Sequence, residues 1–417
     1  MATVAEKYIV MIGCFDTKGE DFSFLLKCLK SWEDQIITIN TGVMDTSVGF
    51  HIDYTNDQVA AFSGRSLKDI RDLGDRGKAV ELMGKGASKI LEELVANNSV
   101  KGVIGMGGGG GTYIALEAMQ SVPLGIPKLC LSTLAAKDLS RQVGVKDITL
   151  MASVVDVAGL NSISKMLMQQ AAAAVCAMSK VEIKTLKDQK KRIAISMFGN
   201  TTKCVNKCTE LLKSKGYEVF AFHATGIGGA TMESLIREDC FDGVLDVTTT
   251  ELADELCEGI LSAGPTRLTA AAEMGVPQVV VPGCLDMVNF AQVHTVPKKY
   301  QSRQLYSWSP DITLMRTNEE ENRILGEQLV SKLKRARQSV EIILPLRGIS
   351  QLDSEGELFY MPKIDTILFE SIKSSSGDEI QVFEIDANIN DEIFAEALVD
   401  RLLRMLNERE FQHKPGN

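Results

Sequence analysis

Along the first half of the chain, short apolar runs alternate with longer stretches in which apolar positions recur every three or four residues. The runs at 8–12, 36–40, 102–106, 128–131 and 148–151 are four or five residues long and carry few charges, which predicts buried strands. The stretches at 20–29, 78–96, 112–120 and 158–179 have the helical period and predict helices between and after them. Strand and helix in alternation imply a parallel sheet covered on both faces. After a charged segment at 184–192, which reads as a connector, the pattern starts again. Strands are predicted at 193–197, 218–223, 243–247, 278–281, 312–315, 340–344 and 381–385, and helices at 201–213, 230–238, 251–261, 319–337 and 391–406. The chain is therefore expected to be an α/β protein of two doubly wound, Rossmann-like domains, 1–182 and 190–417, with mainly parallel sheets and a cleft between them.

One stretch interrupts this regularity. Between the strand at 102–106 and the helix predicted at 112–120 lie five consecutive glycines, Gly107, Gly108, Gly109, Gly110 and Gly111, followed by Thr112. Glycine reaches positive φ and lacks the Cβ that keeps a ligand away from the main chain. A helix that opens on such a loop points free N–H groups and about half a positive charge at one spot, which suits a phosphate or a carboxylate. A tight strand-to-helix turn is the plainer alternative, but one or two glycines would satisfy it. Thr112 is expected to cap the helix or hold a metal-bound water. The loop is not a Walker A motif, because no Gly-Lys-Ser/Thr follows, and it is not a clean G-x-G-x-x-G fingerprint.

Parallel sheets bind ligands beyond the carboxyl ends of their strands. Polar residues cluster at those ends: Asp16, Thr17 and Lys18 after the first strand, Asp45 after the second, Ser132 and Thr133 after the fourth. Asp16, Thr17, Lys18 and Asp45 are expected to line one crevice with the glycines, and the polar stretch at 49–77 to cover it, with Arg76 within reach of an anion. In the second half, Thr225, Gly226, Gly228 and Gly229 form another glycine cradle, and His223 ends the strand before it. His223 is a candidate general acid or base, with loop anchoring as its alternative. Asp246, Glu251 and Asp286 near strand ends are candidate Mg²⁺ ligands, or helix caps.

Composition narrows the classes. A net charge of −10 and the absence of Lys/Arg blocks interleaved with aromatics argue against nucleic-acid binding. The nine cysteines are odd in number and mostly in apolar context, the pattern of reduced buried thiols. Cys204 and Cys208 share a helical face and read as core. No run is long enough to span a bilayer, and the first strand begins without a cleavable signal, so a cytoplasmic protein is expected. The alanine-rich helix at 158–179 permits close packing in a domain junction or a homo-oligomer, dimer or higher.

Several motifs in order carry a resemblance: GVIGMGGGGGT at 102–112, SVVDVAGLN at 153–161, FHATGIGG at 222–229, LDVTTTE at 245–251 and LDMVNF at 285–290. Together they are similar to the ATP-binding family named after the plant tobamovirus-resistance protein, an inhibitor of viral RNA replication, whose members are mostly uncharacterised bacterial and fungal proteins. The similarity runs from GCFDTK at 13–18 to NDEIFAEALVD at 390–400. It implies two Rossmann-like domains, ATP with Mg²⁺ as ligand, and self-association. It also implies a separately encoded barrel-domain protein as a partner, since longer plant relatives carry such a barrel. The expected function is ATP binding by a protein that acts on, or is regulated by, a small phosphorylated or acidic metabolite. Lys18, Arg76 and a metal would neutralise phosphoryl charge. A non-catalytic nucleotide-gated scaffold, and a phosphosugar or acid isomerase or lyase that uses no nucleotide, fit the same residues.

Overall fold

The computed structural model describes residues 6–33, 35–182, 190–334, 336 and 340–413. The chain forms two compact units, Met1–Lys184 and Thr185–Asn417. Most of the charged segment expected as a connector lies outside the described residues.

In the first unit the strands are β1 (Tyr8–Gly13), β2 (Ile36–Asn40), β3 (Val100–Gly107), β4 (Lys128–Ser132) and β5 (Ile148–Ala152). They form one parallel sheet in the order β2-β1-β3-β4-β5. Successive side chains of a strand point to opposite faces, and both faces here are buried. Ile9, Met11, Ile104 and Met106 pack under the helices Gly19–Lys30 and Ser162–Ser179. Val10, Ile12, Val103 and Cys130 pack under Arg76–Ala96 and Gly109–Met119 on the other face. The winding reverses between β1 and β3, and a doubly wound sheet opens its binding crevice at such a reversal.

The second unit contributes β6 (Arg192–Met197), β7 (Glu218–His223), β8 (Gly243–Thr248), β9 (Gln278–Gly283), β10 (Met287–Phe290), β11 (Leu305–Ser309), β12 (Ile312–Arg316), β13 (Val340–Pro345) and β14 (Gln381–Ile385). Six of them make a parallel sheet, β14-β13-β9-β8-β6-β7, with its reversal between β6 and β8. The strand expected at 312–315 does not join it. It lies in a separate antiparallel sheet, β10-β12-β11, with two partners that the apolar pattern does not single out. The polar stretch at 49–77 is partly helical. It holds the short helices Asn56–Phe62 and Leu67–Asp72, opened by capping boxes at Thr55/Gln58 and Ser66/Asp69. Helices of six or seven residues are too short to show a helical period. Cys204 and Cys208 are buried in the core of the second unit, as expected. Among the described residues no helix is long and apolar enough to cross a membrane.

The antiparallel sheet is fastened by Arg316, the last residue of β12. Its guanidinium stands 2.5 Å from Asp365 and 3.6 Å from Asp353, and donates to the Phe359 carbonyl at 2.9 Å. Asp286 lies in the same buried group and accepts from Ser350 at 2.8 Å. Three carboxyls share one arginine, so they cannot all be ionised without leaving buried charge unbalanced. Burial, with Asp286 and Asp365 nearby, pushes the Asp353 carboxyl up to about 9.

The raised carboxyl gives a signed pH dependence. The folded state holds the Asp353 proton more tightly than the unfolded chain, whose group titrates near 3.8. The resulting stability is complete below that value and is lost as pH rises toward about 9. Asp353→Asn, which mimics the neutral acid, should flatten the decline of melting temperature between pH 5 and 9. A decline of unchanged slope in the variant would assign the dependence to other groups.

Candidate functional site

The carboxyl ends of β1 and β3 open on a crevice of about 670 Å³, within the usual range for small-molecule sites. Gly108, Gly109, Gly110 and Gly111 form one wall, and Asp16, Thr17 and Lys18 another. The glycines are not a loop before the helix. The helix starts at Gly109, with Gly108 as its N-cap, so they are its first turn. The amides of that turn have no intrahelical acceptor. None of the five has positive φ.

Their bareness has two causes. A Cβ at Gly107 would stand 2.8 Å from the Gly111 Cα, and one at Gly111 would stand 3.3 Å from the Met106 carbonyl oxygen. These two positions are tight because β3 turns sharply into the helix. Gly109 is different: a Cβ there would meet nothing within 4 Å, and one at Gly108 would meet only the Thr133 hydroxyl at 3.8 Å. The fold would accept side chains at 108 and 109, so their absence serves the crevice. Opposite them, the Arg76 guanidinium lies 3.9 Å from where a Cβ of Gly110 would be.

The other predicted residues separate into those that face the crevice and those that support it. Asp16 lines it, and its carboxylate accepts from the Thr17 and Met44 amides at 2.7 and 2.8 Å. Lys18 also lines it and donates to the Val157 carbonyl. Gly107 lies behind the wall. Thr112, expected to meet ligand or metal, is buried instead; its hydroxyl bonds Ser132 at 2.6 Å and the Gly107 carbonyl, tying β3 to β4. Asp45 is also corrected. Its side chain is 98% exposed, lies outside the crevice and holds Arg71 at 2.9 Å.

Two charged lining residues, Arg71 and Asp156, lie in stretches that the sequence marks without singling them out. Arg71 comes from the short helix inside 49–77, where nothing in the local pattern marks it. Asp156 follows β5 at a strand end, so the strand-end rule applied to β5 would have found it. Val154 just before it has φ +60° although it is β-branched and 77% exposed, and Val155 N–H bonds the Ser153 carbonyl at 2.6 Å across it. This is a rare γ-turn, and such backbone costs about 1–3 kcal/mol and clusters at functional sites. Beyond it, Lys18 holds the Val157 carbonyl and Asp21 accepts from the Gly159 amide at 3.3 Å. The loop is thereby fixed with Asp156 on the crevice.

The second glycine cradle has a different content. Gly226 has φ +83° and begins the helix Ile227–Arg237. A Cβ at Gly228 would stand 1.8 Å from the His223 carbonyl oxygen, and one at Gly229 would stand 2.0 Å from a Glu251 carboxylate oxygen. Packing therefore explains each of these glycines. The cradle is filled: Glu251 accepts from the Gly226 and Gly229 amides at 2.7 and 3.1 Å. Asp246 and Glu251, expected as metal ligands, are ion-paired with the fully buried Arg267 at 2.7 and 2.6 Å. The expected anion site at Thr225, Gly226, Gly228 and Gly229 thus contains the protein's own carboxylate. Among the described residues no three His, Cys, Asp or Glu side chains are grouped to hold a metal ion. His223 ends β7, exposed, with its ring stacked on Phe198.

With this geometry in hand, comparison with known proteins adds lineage. The model described as the N-terminal domain of an uncharacterised protein family, UPF0261, matches residues 7–184, and that of its C-terminal domain matches 190–406. A UPF0261 protein of Clostridium tetani is 44% identical over 96% of this chain and its own whole length. One from Rhizobium meliloti is 38% identical over 94% of this chain and 98% of its own. The tomato ToMV resistance protein Tm-1 is 35% identical over 95% of this chain, which spans 55% of the tomato protein.

A structural role for Glu251 differs measurably from a metal role. Breaking a buried ion pair by removing one partner costs about 3–5 kcal/mol. Glu251→Ala should lose that much in urea unfolding, and Mg²⁺ should not restore it. Stabilisation of the unsubstituted protein by Mg²⁺, lost in Glu251→Ala, would return Glu251 to the metal.

Proposed function

The chain belongs to the uncharacterised protein family UPF0261, and on that premise we propose that the crevice of its first unit binds a nucleoside triphosphate, ATP with Mg²⁺. The observation that carries this reading is the pair Gly108 and Gly109, bare where the fold has room for side chains and set in the first turn of a helix. Phosphate oxygens would take the free amides of that turn, with Arg76, Arg71 and Lys18 balancing their charge. The wall beyond them is apolar, formed by Ile70, Val80, Met83 and Ile114. It suits a base, and a sugar phosphate alone would leave it uncovered.

Mg²⁺ needs few protein ligands, because it keeps waters and takes phosphate oxygens. Asp156, an exposed carboxylate on a fixed loop at the crevice, fits such a site; there it would hold the ion that offsets phosphate charge. In this reading Lys18 has two parts, since one of its N–H groups anchors the Asp156 loop and the others face the crevice. Self-association and a separate barrel-domain partner belong to the same proposal, through the family resemblance.

Thermal stability tests it. A ligand bound only by the native state at 100 times its Kd stabilises by about 2.7 kcal/mol. MgATP should raise the melting temperature, and ribose 5-phosphate should not. Gly109→Val should keep the apo melting temperature, because a Cβ there would meet no protein atom within 4 Å, yet abolish the shift. A shift by the sugar phosphate and not by ATP would replace the nucleotide with a phosphosugar. ATP turnover by the pure protein, set against its absence, separates an enzyme from a nucleotide-gated scaffold.

A further inference from the structure

The carboxyl end of the second sheet carries a row of aromatic rings that its filled cradle does not explain. Phe198 follows β6 and His223 closes the neighbouring β7. Their rings stack with centroids 5.6 Å apart and planes 27° from parallel. Trp308, on β11, reaches the next residue along: its Cζ2 stands 3.6 Å from where a Cβ of Gly199 would be. Tyr306 sits edge-on to Trp308 at 6.4 Å. Trp308 is 43% exposed, Tyr306 is exposed, and so are His223 and Gly199. The chain has only two tryptophans, and this one is left half in water on an outer strand of the small sheet.

The place matters as much as the residues. The row lies at the ends of β6 and β7, beside the reversal between β6 and β8 where a doubly wound sheet receives its ligand. Yet Glu251 takes the Gly226 and Gly229 amides of that crest and is ion-paired to Arg267, so the cradle already holds a carboxylate. What the crest still offers is flat π surface with N–H donors at its edges, from indole and imidazole. Such a surface holds a ring by stacking, which is tolerant of the ring's identity and needs no charge.

We propose that the Phe198–His223–Trp308 row is a binding ledge for an uncharged planar heteroaromatic ring of the nucleobase class. His223 supplies a stacking face and Trp308 a second. The ledge belongs to the second unit.

The test uses the full chain with Trp32→Phe, which leaves Trp308 as the single tryptophan, and Gly109→Val, which closes the first crevice. Adenosine should quench the Trp308 emission saturably, while glucose and inorganic phosphate should not. His223→Ala should weaken adenosine about tenfold, equivalent to about 1.4 kcal/mol, and His223→Phe should keep it, because the stacking face is retained. Trp308→Ala, followed by ligand-observed NMR, should lose the interaction. An emission that adenosine leaves unchanged, an undiminished affinity in His223→Ala, or a saturable response to glucose in place of adenosine would overturn the proposal.

Discussion

Arg267 sits fully buried in the second unit with all five of its N–H donors matched. Asp246 takes two of them in a bidentate pair at 2.7 Å, Glu251 takes Nε at 2.6 Å, and Glu233 and the Thr248 carbonyl take the rest. Each carboxylate is in turn held by other parts of the fold. Asp246 accepts from Ser196, Glu251 from the Gly226 and Gly229 amides, and Glu233 from three successive amides, those of Leu268, Thr269 and Ala270. One guanidinium thus joins β8, the cradle helix and the chain before Ala270–Met274. An unpaired charge at this depth would be strongly destabilising, so these partners stand or fall together.

This network also makes the two units unlike. Both sheets are doubly wound, both have a reversal next to the first strand, and both follow a strand with a glycine-opened helix. In the second unit Glu251 takes the Gly226 and Gly229 amides, and burial pushes that carboxyl up against the charge of Arg267. In the first, no carboxylate bonds the amides of the glycine turn among the described residues. Asp16 is turned to the Thr17 and Met44 amides, and Asp75 caps its own helix through Lys78. Arg76 stands near the glycine turn, and Arg71, held by Asp45, lines the same crevice. The two glycine-opened helices follow different strands, β3 in the first sheet and β7 in the second, and Glu251 sits at the second of these crests.

The first-unit crevice is stiffened from its far side. The γ-turn at Val154 and the bonds from Lys18 and to Asp21 hold the loop that carries Asp156. Strained backbone persists where the surroundings over-determine it. Here Ser153 does so by bonding Ser132 through its amide and Val155 through its hydroxyl, at 3.0 and 2.7 Å.

The sequence by itself determined the α/β class, the two parallel sheets and the strand ends where polar residues gather. Alternation of apolar runs with helical periods is a local property, and the runs at 8–12 and 243–247 lie within the observed β1 and β8. It also marked the two glycine-rich turns. What it could not decide was whether either turn was free, because that depends on residues distant in sequence. Glu251 lies 22 positions beyond Gly229, and Arg267 lies 16 beyond Glu251. Thr112 and Asp45 look like ligand residues by position, but their partners Ser132 and Arg71 draw them elsewhere. The antiparallel sheet escaped for a related reason. Its strands are four or five residues long, and the side-chain period does not say which sheet a strand joins. Local pattern writes the elements, and long-range pairing of charges and amides decides which of their ends stays open.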